Sequence, residues 1–147
     1  MEKMIVVYTG EEPPGEWTKA IFLAGPTPRS KAVASWRPDA LRVLEESGYD
    51  GVVFVPEDRD GRVRMAYDDQ IEWEHRMLNF ADCILFWVPR DLATLPAFTT
   101  NVEFGLWVRS GKIVFGAPDG APKNDYLKLC AKKYHVLMGT TLEETIG

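Results

Sequence analysis

Short apolar runs alternate with longer amphipathic segments along most of the chain. Runs rich in valine, isoleucine and phenylalanine predict six strands, over residues 4–8, 21–24, 52–55, 83–88, 113–115 and 134–138. Apolar positions at helical spacing predict helices over residues 36–47, 67–80, 100–110 and 124–133, followed by a short one capped by Thr140 or Thr141. From residue 21 onward strands and helices alternate, and this order predicts a parallel sheet with helices on both faces.

The predicted sheet has about five strands in the alternating part of the chain and one more before it. Because the strand at residues 4–8 precedes the alternation, we expect it at an edge of the sheet. The run at residues 83–88 is apolar at every position, as is typical of a central parallel strand. No repeat or linker interrupts the pattern, so residues 1–147 are expected to form a single α/β domain.

Composition and charge narrow the classes of partner. The sequence is 46% hydrophobic, which favours a packed core over disorder. Its net charge of -5 argues against a nucleic-acid polymer or an anionic membrane as the main partner, whereas a small nucleotide needs only a loop and a helix end. Cys83 and Cys130 show no metal-ligand spacing and no disulfide framework. With no signal-peptide pattern and no membrane-length apolar run, the expected location is cytoplasmic.

The loops that follow parallel strands meet at one edge of the sheet, where ligands bind in such folds. The predicted loops at this edge cover residues 25–35, 57–66, 89–99 and 116–123. In the first of them Gly25 would allow close backbone approach to a ligand, while Thr27, Arg29 and Ser30 offer groups for a sugar hydroxyl or a phosphate. The segment does not match an established phosphate-binding motif. The alternative is that its glycine and prolines only form a turn.

Glu103 is the most informative residue, because it stands in an apolar run over residues 102–108. Burying a carboxylate is costly without a partner or a chemical role. Placed in the first turn of its predicted helix, Glu103 would face the ligand edge, and the helix dipole would lower its pKa and keep it ionised. The alternative is a capping box, in which Thr100 and Glu103 satisfy each other's helix-end donors.

A second carboxylate comes from the preceding helix. Ile71, Glu74 and Leu78 share one helical face, so Glu74 lies on the core-facing stripe and could reach the ligand edge. The alternative is a half-exposed surface residue. Asp69 is a weaker site candidate, since acids are common in the first turn of a helix. Trp73 could stack on a flat base, although tryptophan more often belongs to a core.

Three segments together resemble the nucleoside 2-deoxyribosyltransferase-like family. They are IFLAGP at residues 21–26, the pair WE at residues 73–74 ahead of AD at residues 81–82, and TTNVEFG at residues 99–105. The resemblance spans roughly residues 21–127, and the glutamate-phenylalanine-glycine helix start is its most specific part.

The resemblance implies a flavodoxin-like three-layer fold and cleavage of the N-glycosidic bond of a 2′-deoxynucleoside, with no metal or cofactor. Glu103 falls at the family's nucleophilic glutamate. Glu74 falls near the acidic residue that meets the nucleobase, which would protonate the leaving base. The implied partners are a deoxynucleoside or deoxynucleotide and a free nucleobase. Family members also form homo-oligomers in which a neighbouring subunit closes the pocket, and Asn124 and Tyr126 are the candidates for that contact.

The sequence also departs from the family's pattern. Family members often carry an aspartate for the sugar hydroxyls just before the nucleophile, but residues 96–101 contain no acid, so Thr99 or Asn101 would take its place. In the loop after the second strand, Gly25, Pro26 and Thr27 remain the candidates for substrate contact. The open alternatives are hydrolysis of a deoxynucleoside 5′-monophosphate, a catalytically silent nucleotide-binding protein, and release of nicotinamide from NAD.

Overall fold

The computed structural model describes residues 3–28, 32–59 and 66–146. Its strands are β1 (Ile5–Tyr8), β2 (Ala20–Ala24), β3 (Val52–Val55), β4 (Cys83–Trp87), β5 (Ile113–Gly116) and β6 (Leu137–Gly139). Its helices are α1 (Arg37–Glu46), α2 (Tyr67–Phe80), α3 (Phe98–Trp107), α4 (Asp125–Lys133) and α5 (Leu142–Ile146). The predicted alternation of strands and helices is therefore confirmed, with most boundaries within two residues.

The strands form one parallel sheet in the order β1-β3-β2-β4-β5-β6. From β2 onward this is the flavodoxin-like order, and β1 adds an edge strand beside β3, as predicted. The chain leaves β2 towards β3 on one side and reaches β4 on the other. The crevice at the carboxyl ends of β2 and β4 is therefore the topological switch point, where such folds bind their ligands.

Helices cover both faces of the sheet, which gives the three layers expected. Alternate strand residues point to opposite faces, so Phe22 and Phe86 meet α2, α3 and α4, while Leu23 and Leu85 meet α1 and α5. Phe104 of α3 packs edge-to-face on Phe86, with ring centroids 5.5 Å apart. This contact fixes α3 against the central strand next to the switch point.

Helix α3 is buried on one face only, although its sequence is mostly apolar. It begins two residues earlier than predicted, at Phe98, and only one face meets the sheet, through Thr100 and Phe104. The opposite face exposes three apolar side chains at a spacing of four residues: Phe98 (65%), Val102 (63%) and Leu106 (61%). Apolar composition alone could not distinguish a buried helix from one with an uncovered apolar face.

Local signals place several helix ends correctly. Gly48 follows α1 with a φ of 86°, the left-handed conformation that glycine tolerates. Thr141 caps α5, because its hydroxyl accepts the backbone N–H of Glu144 at 3.1 Å. None of the helices in residues 3–28, 32–59 and 66–146 combines the length and the apolar character needed to cross a membrane.

Candidate active site

A cavity of about 220 Å³ opens at the switch point, at the carboxyl ends of β2, β3 and β4. Its lining comes from residues 24–27, from Arg37 at the start of α1, from Pro56, from one face of α2 and from the start of α3. Among the described residues, the carboxyl groups that face it are those of Glu74 and Glu103. The predicted loop at residues 116–123 contributes no described lining residue. It follows β5, which is separated from β2 by β4 in the sheet.

Glu103 reaches the cavity from the second turn of α3, not from the first. The helix begins at Phe98 after an N-terminal cap at Ala97 that makes no side-chain hydrogen bond. The capping-box alternative for Thr100 and Glu103 is therefore wrong, since both residues lie inside the helix and Thr100 is buried against the sheet. Glu103 is left facing the cavity instead of its own backbone.

Burial governs the protonation of Glu103. Desolvation, reinforced by the nearby charge of Glu74, raises the pKa of Glu103 to about 8, and the charge of Arg37 opposes this only in part. The expectation that the helix end lowers its pKa is therefore wrong. The helix dipole acts mainly within the first turn, and Glu103 lies beyond that turn. The surrounding apolar residues also exclude the water that would hydrate its carboxylate.

Glu74 extends from the middle of α2 to the other side of the cavity. Desolvation raises its pKa to about 7, and again Arg37 acts in the opposite direction. Because the charge of Glu74 acts on Glu103, the protonation of Glu103 depends on that of Glu74. Between about pH 7 and pH 8 the two glutamates together are expected to carry about one proton, which is the state that acid–base chemistry between two carboxyl groups requires.

Arg37 was not among the residues singled out from the sequence. It is 1% exposed, and its guanidinium donates to the Leu23 and Gly25 carbonyls, the Thr27 hydroxyl and the Glu57 carboxylate. A sequence signal was available, because a cation in the first position of a helix opposes the helix dipole and needs another reason to be there.

The loop after β2 forms one wall of the cavity, which Gly25, Pro26 and Thr27 line. The Trp36 indole N–H donates to the Pro26 carbonyl at 3.0 Å, which ties this loop to the start of α1. A Cβ on Gly25 would collide with the Trp87 carbonyl oxygen and lie 2.7 Å from the Trp36 ring. The other two candidates in this loop, at positions 29 and 30, lie outside the described residues.

The remaining candidates on the two helices separate into those at the cavity and those away from it. Thr99 lines the cavity. Asp69 is exposed in the first turn of α2 and is not part of the lining. Trp73 belongs to the core, 3% exposed, with its indole N–H donating to the Glu11 carbonyl. Trp73 therefore offers no exposed ring on which a base could stack. It precedes Glu74 by one residue on α2, and that rotation about the helix axis points its side chain at the sheet instead of the cavity.

Asn101 and Asn124 both bond to the same buried side chain next to the cavity, that of Arg90. Arg90 donates to the side-chain oxygens of both, and to the Pro96 and Ala97 carbonyls. The Asn124 amide donates in turn to the backbone of its own chain, and the residue is 1% exposed, so it presents no surface to a neighbouring subunit.

The Arg90 contacts also hold the start of α3. Ala97 has the left-handed conformation, with φ 61°, that costs an alanine about 1–2 kcal/mol. Anchoring its carbonyl fixes the direction in which α3 leaves the loop, and with it the position of Glu103. Tyr126, on α4, is 78% exposed and remains available for contact with another subunit.

Two exposed aromatic side chains, Tyr67 and Phe98, are the first residues of α2 and α3 and line the cavity. They were not singled out, because nothing in the local sequence distinguishes a cavity-lining aromatic residue from a core one. A larger cavity of about 950 Å³ lies beside Trp17 and Gly51, at the opposite end of β3. Its described carboxylates are Glu16 and Asp50, of which Asp50 is already paired with Lys19, so the chemistry concentrates at the smaller cavity.

The family model described as nucleoside 2-deoxyribosyltransferase like matches residues 18–121. The chain belongs to that family. The matched segment runs from just before β2 to the loop after β5 and contains every described residue of the carboxylate cavity. No curated protein matches the chain. Within the described residues, no group of three or more histidine, cysteine, aspartate or glutamate side chains is placed to hold a metal ion.

Proposed function

We propose that this member of the nucleoside 2-deoxyribosyltransferase-like family breaks the N-glycosidic bond of 2′-deoxynucleosides through a covalent ester on Glu103. The observation that carries the proposal is the placement of Glu103 and Glu74 on neighbouring helices, facing one cavity at the switch point. Membership of the family supports the substrate class.

The proposed reaction has two steps. In the first, a Glu103 oxygen attacks the anomeric carbon, the bond to the nucleobase breaks with its electron pair going to the base nitrogen, and Glu74 donates a proton there. In the second, an acceptor base or water attacks the same carbon, the ester to Glu103 breaks, and Glu74 recovers a proton from the attacking group. Atoms and protons balance over the two steps.

The attack requires Glu103 ionised and Glu74 protonated, whereas Glu103 has the slightly higher pKa of the two. The two pKa values, about 8 and about 7, are close, so moving the proton costs only on the order of 1 kcal/mol. Positive charge developing on the sugar next to Glu103 would favour its ionised form and offset that cost.

The surrounding groups suggest how the substrate is held. Thr27 and Thr99 line the cavity and offer hydroxyl groups to the sugar in place of the absent aspartate. Asn101 is bonded to Arg90, so Thr99 is the better candidate of the two considered for this role. Tyr67 and Phe98 offer exposed aromatic faces at the cavity, against which a nucleobase could stack.

The assembly proposed is a homo-oligomer that uses the uncovered face of α3. Phe98, Val102 and Leu106 form an exposed apolar stripe, and Tyr126 and Leu129 of α4 are exposed as well. Exposed apolar surface of this kind marks sites of protein association. Because Phe98 also lines the cavity, a second subunit on this stripe would border the site.

The experiment that tests the reaction is incubation of the protein with deoxynucleosides and with their 5′-monophosphates, with and without a free acceptor base. Exchange of the base indicates a transferase, and release of free deoxyribose or its phosphate without an acceptor indicates a hydrolase. Trapping the intermediate with a slow 2′-fluorinated substrate should add the mass of the sugar to a peptide containing Glu103. Thermal stabilisation by nucleosides that are never consumed would contradict the proposal and favour a silent binding protein.

A further inference from the structure

Arg37 is held in a position that neither its helix nor its burial favours. A positive charge at the first position of α1 opposes the helix dipole, and an arginine that is 1% exposed loses its hydration. Four hydrogen bonds compensate the guanidinium for these two costs. Nε donates to the Leu23 carbonyl at 3.1 Å, Nη2 to the Gly25 carbonyl at 2.7 Å, and Nη1 to the Thr27 hydroxyl at 2.8 Å and to Glu57 at 2.7 Å.

These bonds join three elements around the cavity. Leu23, Gly25 and Thr27 belong to the end of β2 and its loop, while Glu57 follows β3. One guanidinium hydrogen on Nη2 has no partner among the described residues, and Arg37 lines the same cavity as Glu74 and Glu103. The side chain thus connects the wall of the cavity to the groups that perform the chemistry.

We propose, on the basis of the reaction proposed above, that Arg37 is a positioning residue for the carboxylate pair. It fixes the loop after β2 as one wall of the cavity and places a buried positive charge where Glu103 must ionise. Glu57 orients the guanidinium, but it is the more exposed partner, with 21% of its side chain accessible against 2% for Arg37. Solvent therefore screens the negative end of the pair more than the positive end.

The charged and titratable groups that line the cavity are Arg37 from α1, Tyr67 and Glu74 from α2, and Glu103 from α3. Two more lie just behind the lining: Glu57 after β3, which pairs with Arg37, and Arg90 after β4, which bonds to the Pro96 and Ala97 carbonyls. Burial raises the pKa of Glu74 and of Glu103, and the charge of Arg37 acts against both increases. Removing that charge should therefore raise both pKa values further. A merely loosened structure would admit water and lower them, so the sign of the change separates the two roles.

The test is a titration of the glutamate side-chain carbons by ¹³C NMR in the wild type and in Arg37→Met, Arg37→Lys and Glu57→Gln. We expect Arg37→Met to raise the pKa of Glu74 and Glu103 by about 1 pH unit, as loss of a nearby opposite charge does. Arg37→Lys keeps the positive charge, so the pKa values of Glu74 and Glu103 should stay close to those of the wild type. Glu57→Gln leaves Arg37 without its counter-charge and should move both pKa values down. Arg42→Met, an exposed residue on the same helix that pairs with Glu46, is the matched control and should change neither.

The proposal is overturned if Glu74 and Glu103 titrate in folded Arg37→Met as in the wild type, or with lower pKa values. If Arg37→Met does not fold, Glu57→Gln decides, and unchanged or raised values in that variant overturn the proposal. This readout needs no turnover, so a wild type that consumes no deoxynucleoside would refute the proposed reaction separately. In an active enzyme, the acid limb of kcat/KM in Arg37→Met should move to higher pH by the same amount as the NMR titration.

Discussion

Glu74 and Glu103 approach one cavity from different helices, and the charge of Glu74 raises the pKa of Glu103. Two carboxyl groups in such a relationship cannot both ionise without cost, and in the proposed reaction one serves as the nucleophile and the other as the acid. This relationship distinguishes the cavity from an ordinary surface depression at the end of a sheet. It also leads to predictions that depend on different parts of the arrangement.

Replacing the proposed nucleophile should abolish base release without unfolding the protein. We expect Glu103→Gln to lower kcat by roughly 10⁴-fold or more, because an amide cannot form the ester intermediate. Turnover of deoxynucleosides followed by chromatography measures the loss. Glu72→Gln, an exposed glutamate on α2, is the control and should keep wild-type activity. A folded Glu103→Gln variant with wild-type turnover would refute the covalent mechanism.

Removing the proposed acid should affect substrates unequally. Glu74→Gln leaves the nucleophile in place but cannot protonate the departing base, so we expect a loss of roughly 10²–10⁴-fold on natural deoxynucleosides. On a deoxyriboside whose leaving group departs without protonation, the kcat of Glu74→Gln should fall much less. Comparing kcat for the two substrates in both proteins measures the difference. Equal losses on both would contradict a role for Glu74 in proton donation.

The carboxylate pair should make stability fall as pH rises. In the unfolded chain both glutamates ionise near the ordinary glutamate pKa of 4.5, whereas in the folded protein their pKa values are about 7 and about 8. The folded state therefore binds more protons between those limits, and the free energy of unfolding decreases as pH rises from about 4.5 to about 8.

Glu103→Gln removes part of this dependence. It should match the wild type near pH 4.5 and exceed its free energy of unfolding by about 1–3 kcal/mol at pH 8. Urea unfolding across this range measures the two curves. Parallel curves for variant and wild type would show that Glu103 is normally hydrated, contrary to its position in the cavity.

Gly25 should tolerate no side chain. Gly25→Ala would press a methyl group against the Trp87 carbonyl and the Trp36 ring, and we expect a loss of about 1–3 kcal/mol in the free energy of unfolding together with most of the activity. The control is Gly15→Ala, where an added Cβ has no atom within 4 Å. Denaturant unfolding compares the two. Similar stabilities for both variants would mean that the loop after β2 is free to move.

The apolar stripe on α3 should hold the assembly together. Leu106→Asp puts a charge in the stripe away from the cavity, so it should convert a dimer or larger oligomer to monomers because burying that charge is costly. Sedimentation velocity at several concentrations measures the change. Arg42→Asp on α1 introduces the same group on the other side of the sheet and should leave the assembly intact. A wild type that sediments as a monomer throughout contradicts the proposed homo-oligomer.

The fold was accessible from sequence because its signals are local. Apolar runs and helical spacing lie within one element, and the alternation of elements leaves little choice of topology. Glu103 was found for a related reason, since a carboxylate in an apolar run is anomalous wherever it lies. Arg37 was missed because its partners lie 10 to 20 residues away along the chain. Only the folded structure shows that one side chain satisfies them all.

Errors in the site came from directions and surroundings that a sequence does not specify. Trp73 and Glu74 are neighbours in the chain, yet a helix turns about 100° per residue, so one reaches the core and the other the cavity. The protonation of Glu103 was predicted in the wrong direction because the helix end was visible and the desolvation was not. Asn124 looked like a surface residue until the Arg90 contacts placed it inside.

The described residues that line the carboxylate cavity all lie between Ala24 and Glu103. Strands β5 and β6, with α4 and α5, complete the scaffold but contribute no side chain to the lining of this cavity. Residues 117–123 of the loop after β5 could therefore be redesigned, or carry a new binding element, provided that Asn124 keeps its contact with Arg90.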